Sequence, residues 1–133
     1  NDARPVKPEE LHGVHLCSKA WLSSALTAHK NMRTVVLSHH APSRSMLLGS
    51  KADPSSPLAH AFFSDLEDLM LNVVAWLSGH VHHCTSRHAG LHGTLCACNA
   101  AGYPNRLRLP PGSEDPRYSK RAVLVVPVSG AAH

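Results

Sequence analysis

Long hydrophobic runs are absent from this chain of 133 residues. No stretch approaches the roughly 20 consecutive apolar residues that a transmembrane helix needs, so no membrane-spanning segment is expected. Aromatic residues amount to only 5%. That is too few to give a stacking platform beside Arg106, Arg108, Arg117, Lys120 and Arg121, and Pro110, Pro111, Glu114 and Asp115 interrupt this basic stretch. It therefore reads as solvated loop charge, not as a nucleic-acid-binding motif. Acidic residues are also scarce, nine against thirteen Lys and Arg, for a formal charge of +4. The four cysteines (Cys17, Cys84, Cys96, Cys98) do not make a disulfide scaffold in a chain this long. Cys96 and Cys98 alternate along one extended stretch, where bridging is geometrically difficult. Reduced thiols lean towards a cytoplasmic setting. Neither an initiator Met nor a basic-then-apolar leader opens the chain, so its start is expected to be cut and residues 1–15 to form a polar lead-in.

Histidine, by contrast, is plentiful, with twelve in the chain. Three of them come after the run Val73-Val74-Ala75-Trp76-Leu77 across a Ser78-Gly79 break, at His80, His82 and His83. A short apolar run, β-branched at its start and bounded by glycine, reads as a buried strand. Were the backbone to stay extended beyond Gly79, His80 and His82 would project to the same side. An apolar share of 43% suffices for one core, so a single domain or part of one is expected.

Along the chain, Trp21, Leu22, Ala25, Leu26 and His29 recur at the spacing of one helical face, predicting a helix over residues 18–29 with Ser18 as N-cap. Thr34-Val35-Val36-Leu37 reads as a central strand, ending in Ser38-His39-His40-Ala41-Pro42-Ser43. Residues 44–57 read as a long surface loop. A second helix is predicted over residues 58–71, with Phe62, Phe63, Leu66, Leu69 and Met70 inward and Asp65, Glu67 and Asp68 facing water. The succession of strand, helix and strand implies a βαβ unit with parallel pairing. Ligand sites in such sheets lie beyond the carboxyl ends of the strands, which is where His39-His40 and His80 to His83 fall. Residues 84–88 and 93–99 predict an antiparallel hairpin. A Pro-rich loop over 104–120 and a last strand over 121–127 complete the reading.

His39, His80 and His82 are the candidate metal ligands: three neutral imidazoles suit Zn, Mn, Fe or Ni and leave coordination positions open. His40 and His83 read as supporting or substrate-facing groups. A zinc module built on Cys84, Cys96 and Cys98 is a poorer reading, because Cys-x-Cys on a strand does not match zinc-knuckle spacing.

In order, Ser38-His39-His40-Ala41-Pro42, Gly79-His80-Val81-His82 and Asn99-Ala100-Ala101-Gly102-Tyr103 resemble the later motifs of the calcineurin-like metallophosphoesterases, and the likeness runs from about residue 16 to 126. The resemblance implies an α/β fold, the C-terminal portion of a four-layer α/β/β/α sandwich with mixed sheets, with residues 16–103 as its core. It implies two divalent metal ions (Mn, Fe or Zn) in the complete family site, His39 and His80 on one and His82 on the other, with at most partial, weak binding expected of this chain alone. The implied reaction is hydrolysis of a phosphate mono- or diester substrate by a metal-activated hydroxide. His40 matches a family position near the substrate or leaving group. The family's earlier motifs, Asp-x-His, Gly-Asp and Gly-Asn-His, do not occur here. They supply the carboxylate bridge between the ions, so the missing N-terminal half of the domain is an expected partner and the isolated chain is expected to be inactive. The alternative is a catalytically inactive binding or structural remnant of the fold.

Overall fold

The computed structural model describes residues 5–100 and 117–125. The fold is α/β: one helix, α1 (Pro8–Ala28), and a four-stranded mixed sheet of β1 (Thr34–Leu37), β2 (Val73–Ser78), β3 (Thr85–Ala89) and β4 (Thr94–Cys98). The spatial order is β1-β2-β4-β3. β1 runs parallel to β2 and β2 parallel to β4, while β3 and β4 form the antiparallel hairpin. β1, expected to be a central strand, lies at an edge like the polar β3: among the described strands it pairs with β2 alone and leaves Val35 and Leu37 exposed, because β-branched composition marks a strand but not its place in the order. Among the described residues no helix is long and apolar enough to cross a membrane.

α1 begins ten residues earlier than predicted, and so takes in half of the expected polar lead-in. Pro8 occupies a first-turn position, Glu9 and Glu10 favour the positive end of the helix dipole, and the Lys7 N–H donates to Glu10 Oε2 at 3.0 Å. Ser18 is thus not a cap. It lies within the helix, and its hydroxyl donates to the Val14 carbonyl at 2.8 Å.

The predicted helix over 58–71 does not form. Two short 3-10 turns, Pro57–Ala61 and Glu67–Leu69, stand in its place. Its backbone groups are used across the structure: Ala41 donates to the Phe62 carbonyl at 3.2 Å, Ser64 to the Ala41 carbonyl at 2.9 Å, and Leu66 to the Pro42 carbonyl at 3.0 Å. Groups committed to the 41–42 segment cannot also close helical turns. The inward pattern nevertheless holds, because Phe63, Leu66 and Met70 are buried.

Residues 44–57 are not wholly a surface loop. Arg44–Leu47 is a 3-10 turn whose Met46 and Leu47 are fully buried. Nor does Glu67 simply face water. Its Oε1 accepts from the buried Ser43 hydroxyl at 2.6 Å and its Oε2 from the Gly90 N–H at 3.2 Å, tying the loop to the hairpin. The predicted last strand is also absent where it can be followed. Residues 122–125 are irregular with Val123 and Val125 exposed, and residues 126 and 127 lie outside the described residues. A β-branched run becomes a strand only when it finds a ladder partner. Most of the Pro-rich loop, residues 104–116, also lies outside them.

Trp76 anchors the core. It is fully buried, and its Nε1–H donates to Ser38 Oγ at 2.9 Å. Cys96 is buried on β4; burial first, and then the Glu67 charge, push its thiol up to about 11, so it stays a protonated, inert core group.

The hairpin turns at Gly90 (φ +70°) and Gly93 (φ +67°). A Cβ at Gly90 would lie 3.0 Å from Met70 Sδ and 3.1 Å from Met70 Cβ. Gly90→Ala therefore combines left-handed strain with overpacking and is expected to lower stability by about 2–4 kcal/mol in urea denaturation. A change below about 0.5 kcal/mol would mean that the turn relaxes freely.

Candidate functional site

The site is built where β1 and β2 run out together. Their pairing continues past the strands, with the Ser38 N–H donating to the Leu77 carbonyl and the Gly79 N–H to the His39 carbonyl, both at 3.0 Å. The two chains separate only after His39 and Gly79, which sets the segment beginning at His80 beside His39-His40. Ser38 braces this end, its hydroxyl donating to the His40 carbonyl at 2.7 Å while accepting from Trp76.

Beyond Gly79 the backbone does not stay extended, so the expected alternation of His80 and His82 is corrected. The Val81 N–H donates back to the Gly79 carbonyl at 2.6 Å, a γ-turn hydrogen bond about His80. His80 and His82 both have left-handed φ, +56° and +46°. The turn lets Val81 enter the core at 6% exposure, between two histidines held outside it. Left-handed backbone on a non-glycine costs about 1–2 kcal/mol per residue, and such strain collects at functional sites.

His39, His40 and His80 come together. His39 Nε2 lies 3.0 Å from His80 Nδ1, and His80 Nε2 lies 3.1 Å from the Ala61 carbonyl. A carbonyl only accepts, so His80 carries its proton on Nε2 and its Nδ1 receives the Nε2–H of His39. The His40 ring centroid is 4.4 Å from that of His80 and 5.2 Å from that of His39. Phe62 closes one side, 5.5 Å from His80. His82 comes next on the left-handed backbone, half-buried and within electrostatic reach of His80, His39 and Lys51. His83 meets a different partner, with Arg117 Nη2 donating to its Nδ1 at 2.7 Å. The roles of Ala61 and Phe62 were not readable from motif spacing, because the segment carrying them was expected to be helical.

Two features bear on metal binding. The His39–His80 nitrogens are at hydrogen-bond distance, which is also the spacing of two ligands at right angles on one dication (about 3.0 Å for nitrogens about 2.1 Å from the ion); tetrahedral zinc would space them about 3.4 Å apart. Ala61 holds the far nitrogen of His80, as carbonyls commonly do for ligand histidines. On the other side, three carboxylates of the described residues are engaged elsewhere: Asp53 accepts from Ser55, Glu67 from Ser43 and Gly90, and Asp68 pairs with Lys19 at 3.1 Å. Among the described residues no group of three or more His, Cys, Asp or Glu is arranged to hold a metal ion. The cysteines do not gather either: Cys98 donates to the Gly79 carbonyl and Cys84 to Asn99 Oδ1, both at 3.6 Å, and Gly102 and Tyr103 of the third motif lie outside the described residues.

Burial, then the charges of His80, His39 and His15, lowers the His40 pKa from its ordinary 6.5; burial first also lowers that of His82. Above pH 6.5 both folded and unfolded chains carry these groups neutral. Below it the unfolded chain takes up protons first, so stability falls with pH down to the folded-state pKa and then levels. In EDTA-containing buffer the urea midpoint should fall as the pH is lowered from 6.5 to 5, and His40→Asn should reduce the slope. An unchanged slope in the variant would count against this assignment.

Comparison with protein families, with curated proteins and with solved structures finds no match to this chain, so its likeness to the metallophosphoesterases rests on the motif residues alone.

Proposed function

We propose that this chain carries the histidine half of a metal-dependent phosphoesterase centre, within the C-terminal portion of a four-layer α/β/β/α sandwich. One observation carries the reading: two imidazole nitrogens, from histidines 41 positions apart, stand 3.0 Å from one another at the carboxyl ends of neighbouring parallel strands. His39 Nε2 and His80 Nδ1 would hold one ion and His82 would serve a second. His40, beside both, would contact the phosphate ester or its leaving group. Bound Mn, Fe or Zn would supply positive charge to polarise the phosphoryl oxygens. The residues themselves orient and desolvate: Ala61 fixes the face of His80, Ser38 holds the loop carrying His40, and Phe62 excludes water from one side.

The engaged carboxylates support a complementary half. Two dications close together repel strongly unless a carboxylate bridges them, and none of the described residues is placed to do so. The same observation favours the second reading, a binding or structural remnant of the fold that performs no chemistry.

Titration calorimetry with Zn²⁺ at neutral pH should give about one ion per chain, and His80→Ala should weaken binding more than tenfold. Replacing Cys84, Cys96 and Cys98 together with Ser should leave the stoichiometry unchanged. The isolated chain with Mn²⁺ should not hydrolyse an aryl phosphate. Turnover that vanishes in His80→Ala would overturn the dependence on a second half, and absence of metal binding would overturn the centre itself.

A further inference from the structure

The turn that presents His80 begins at a carbonyl that leaves the ladder. In a regular strand the N–H and C=O of one residue face the same neighbouring strand. At Gly79 they part. Its N–H still donates to the His39 carbonyl at 3.0 Å, on the side of β1, while its carbonyl is met by the thiol of Cys98, on β4, at 3.6 Å. The same carbonyl closes the γ-turn by accepting from the Val81 N–H at 2.6 Å.

This carbonyl belongs to the planar peptide that joins Gly79 to His80, so its direction fixes the φ of His80, here +56°. Turning the peptide over would return His80 to the extended φ of an unbroken strand. Left-handed φ on a residue with a Cβ costs free energy and persists only where the surroundings over-determine it. Val81, 6% exposed in the core, holds one end of the turn, and Cys98 meets the other.

The sheet places Cys98 for this contact. β2 and β4 pair in parallel with Ser78 opposite Cys98, so the thiol stands beside the residue that precedes Gly79. Cys98 is only 4% exposed, which limits the competition of water for the carbonyl. The Ser78 hydroxyl, also buried, has no hydrogen-bond partner and does not take the place of the thiol. A thiol suits the position, since it packs as a small apolar group and still donates weakly.

We propose that Cys98 is a positioning residue for the imidazole cluster: its thiol holds the Gly79–His80 peptide in the orientation that sets His80 Nδ1 against His39 Nε2 and His80 Nε2 against the Ala61 carbonyl. The thiol acts through the backbone and is not itself a ligand. Its effect on metal affinity rests on the metal reading above; its effect on the turn does not.

The test compares three variants of the full chain. Cys98→Val keeps the apolar bulk and loses the donor, Cys98→Ala loses the donor without overpacking, and Cys98→Ser keeps a donor in a smaller group. In EDTA at neutral pH, the Val and Ala variants should speed amide hydrogen exchange at Val81 by about two- to fivefold, the worth of one weak hydrogen bond. Nitrogen-15 NMR of the His80 ring should show its Nε2–H form giving way to a mixture of tautomers in both. Zn²⁺ affinity, read by calorimetry, should fall by a similar factor. Cys98→Ser should stay close to the unsubstituted chain in all three measurements. Unchanged Val81 exchange in the Val and Ala variants would overturn the inference, and so would equal changes in all three variants, which would assign the effect to packing. His80-dependent Zn²⁺ binding that is indifferent to Cys98→Val overturns it as well and leaves the metal reading standing. Faster Val81 exchange and mixed His80 tautomers in Cys98→Val, with Zn²⁺ bound by none of the chains, support the positioning role and overturn the metal reading alone.

Discussion

The parallel pairing of β1 with β2 is the constraint on which the rest depends. Its register places Leu37 opposite Leu77, and the ladder then runs one step further on each strand, to Ser38 and Gly79. Because parallel strands end side by side, the residues after each strand are delivered to the same point. On β1 these are His39 and His40; on β2, beyond Gly79, the first is His80. Trp76 secures the arrangement from beneath, since its indole N–H has a partner only if Ser38 stands where the register puts it. Burying that indole without a partner would cost the desolvation of an N–H group, so core packing and site geometry reinforce one another.

The crossover between these strands is irregular for a related reason. Residues 58–71 have the apolar periodicity of a helix, yet the segment is drawn against residues 41 and 42 by three backbone hydrogen bonds. The bridge between Ala41 and Phe63 brings the carbonyl of Ala61 within reach of His80 and the ring of Phe62 beside it. A regular helix would have kept the Ala61 carbonyl for its own ladder. Loss of helix thus supplies the acceptor that sets the His80 tautomer. Glu67 compensates within the same segment, anchoring Ser43 and Gly90.

Much of the architecture was legible from residues alone. The β-branched runs at 34–37 and 73–77 are the parallel strands, the Gly90–Gly93 break makes the hairpin turn, and two histidine groups stand at strand ends. The start of α1 was missed because its first turns are amphipathic only faintly and are specified by Pro8, Glu9 and Glu10, which in composition resemble a linker. The stretch at 122–125 misled in the opposite sense, having strand propensity without a paired neighbour among the described residues.

The order of apolar and polar residues determined where the strands of the sheet form and that His39 and His80 fall beyond their ends. These are consequences of local sterics and burial, and they need no knowledge of distant partners. Tertiary structure alone decided how the imidazoles face. The left-handed turn at His80 results from Val81 entering the core, and the protonated nitrogen of His80 is set by a carbonyl 19 positions earlier. His40 joins the cluster for the same kind of reason. Ring orientation is set by hydrogen bonds and contacts between segments remote in sequence, and those exist only once the sheet and its irregular crossover have packed.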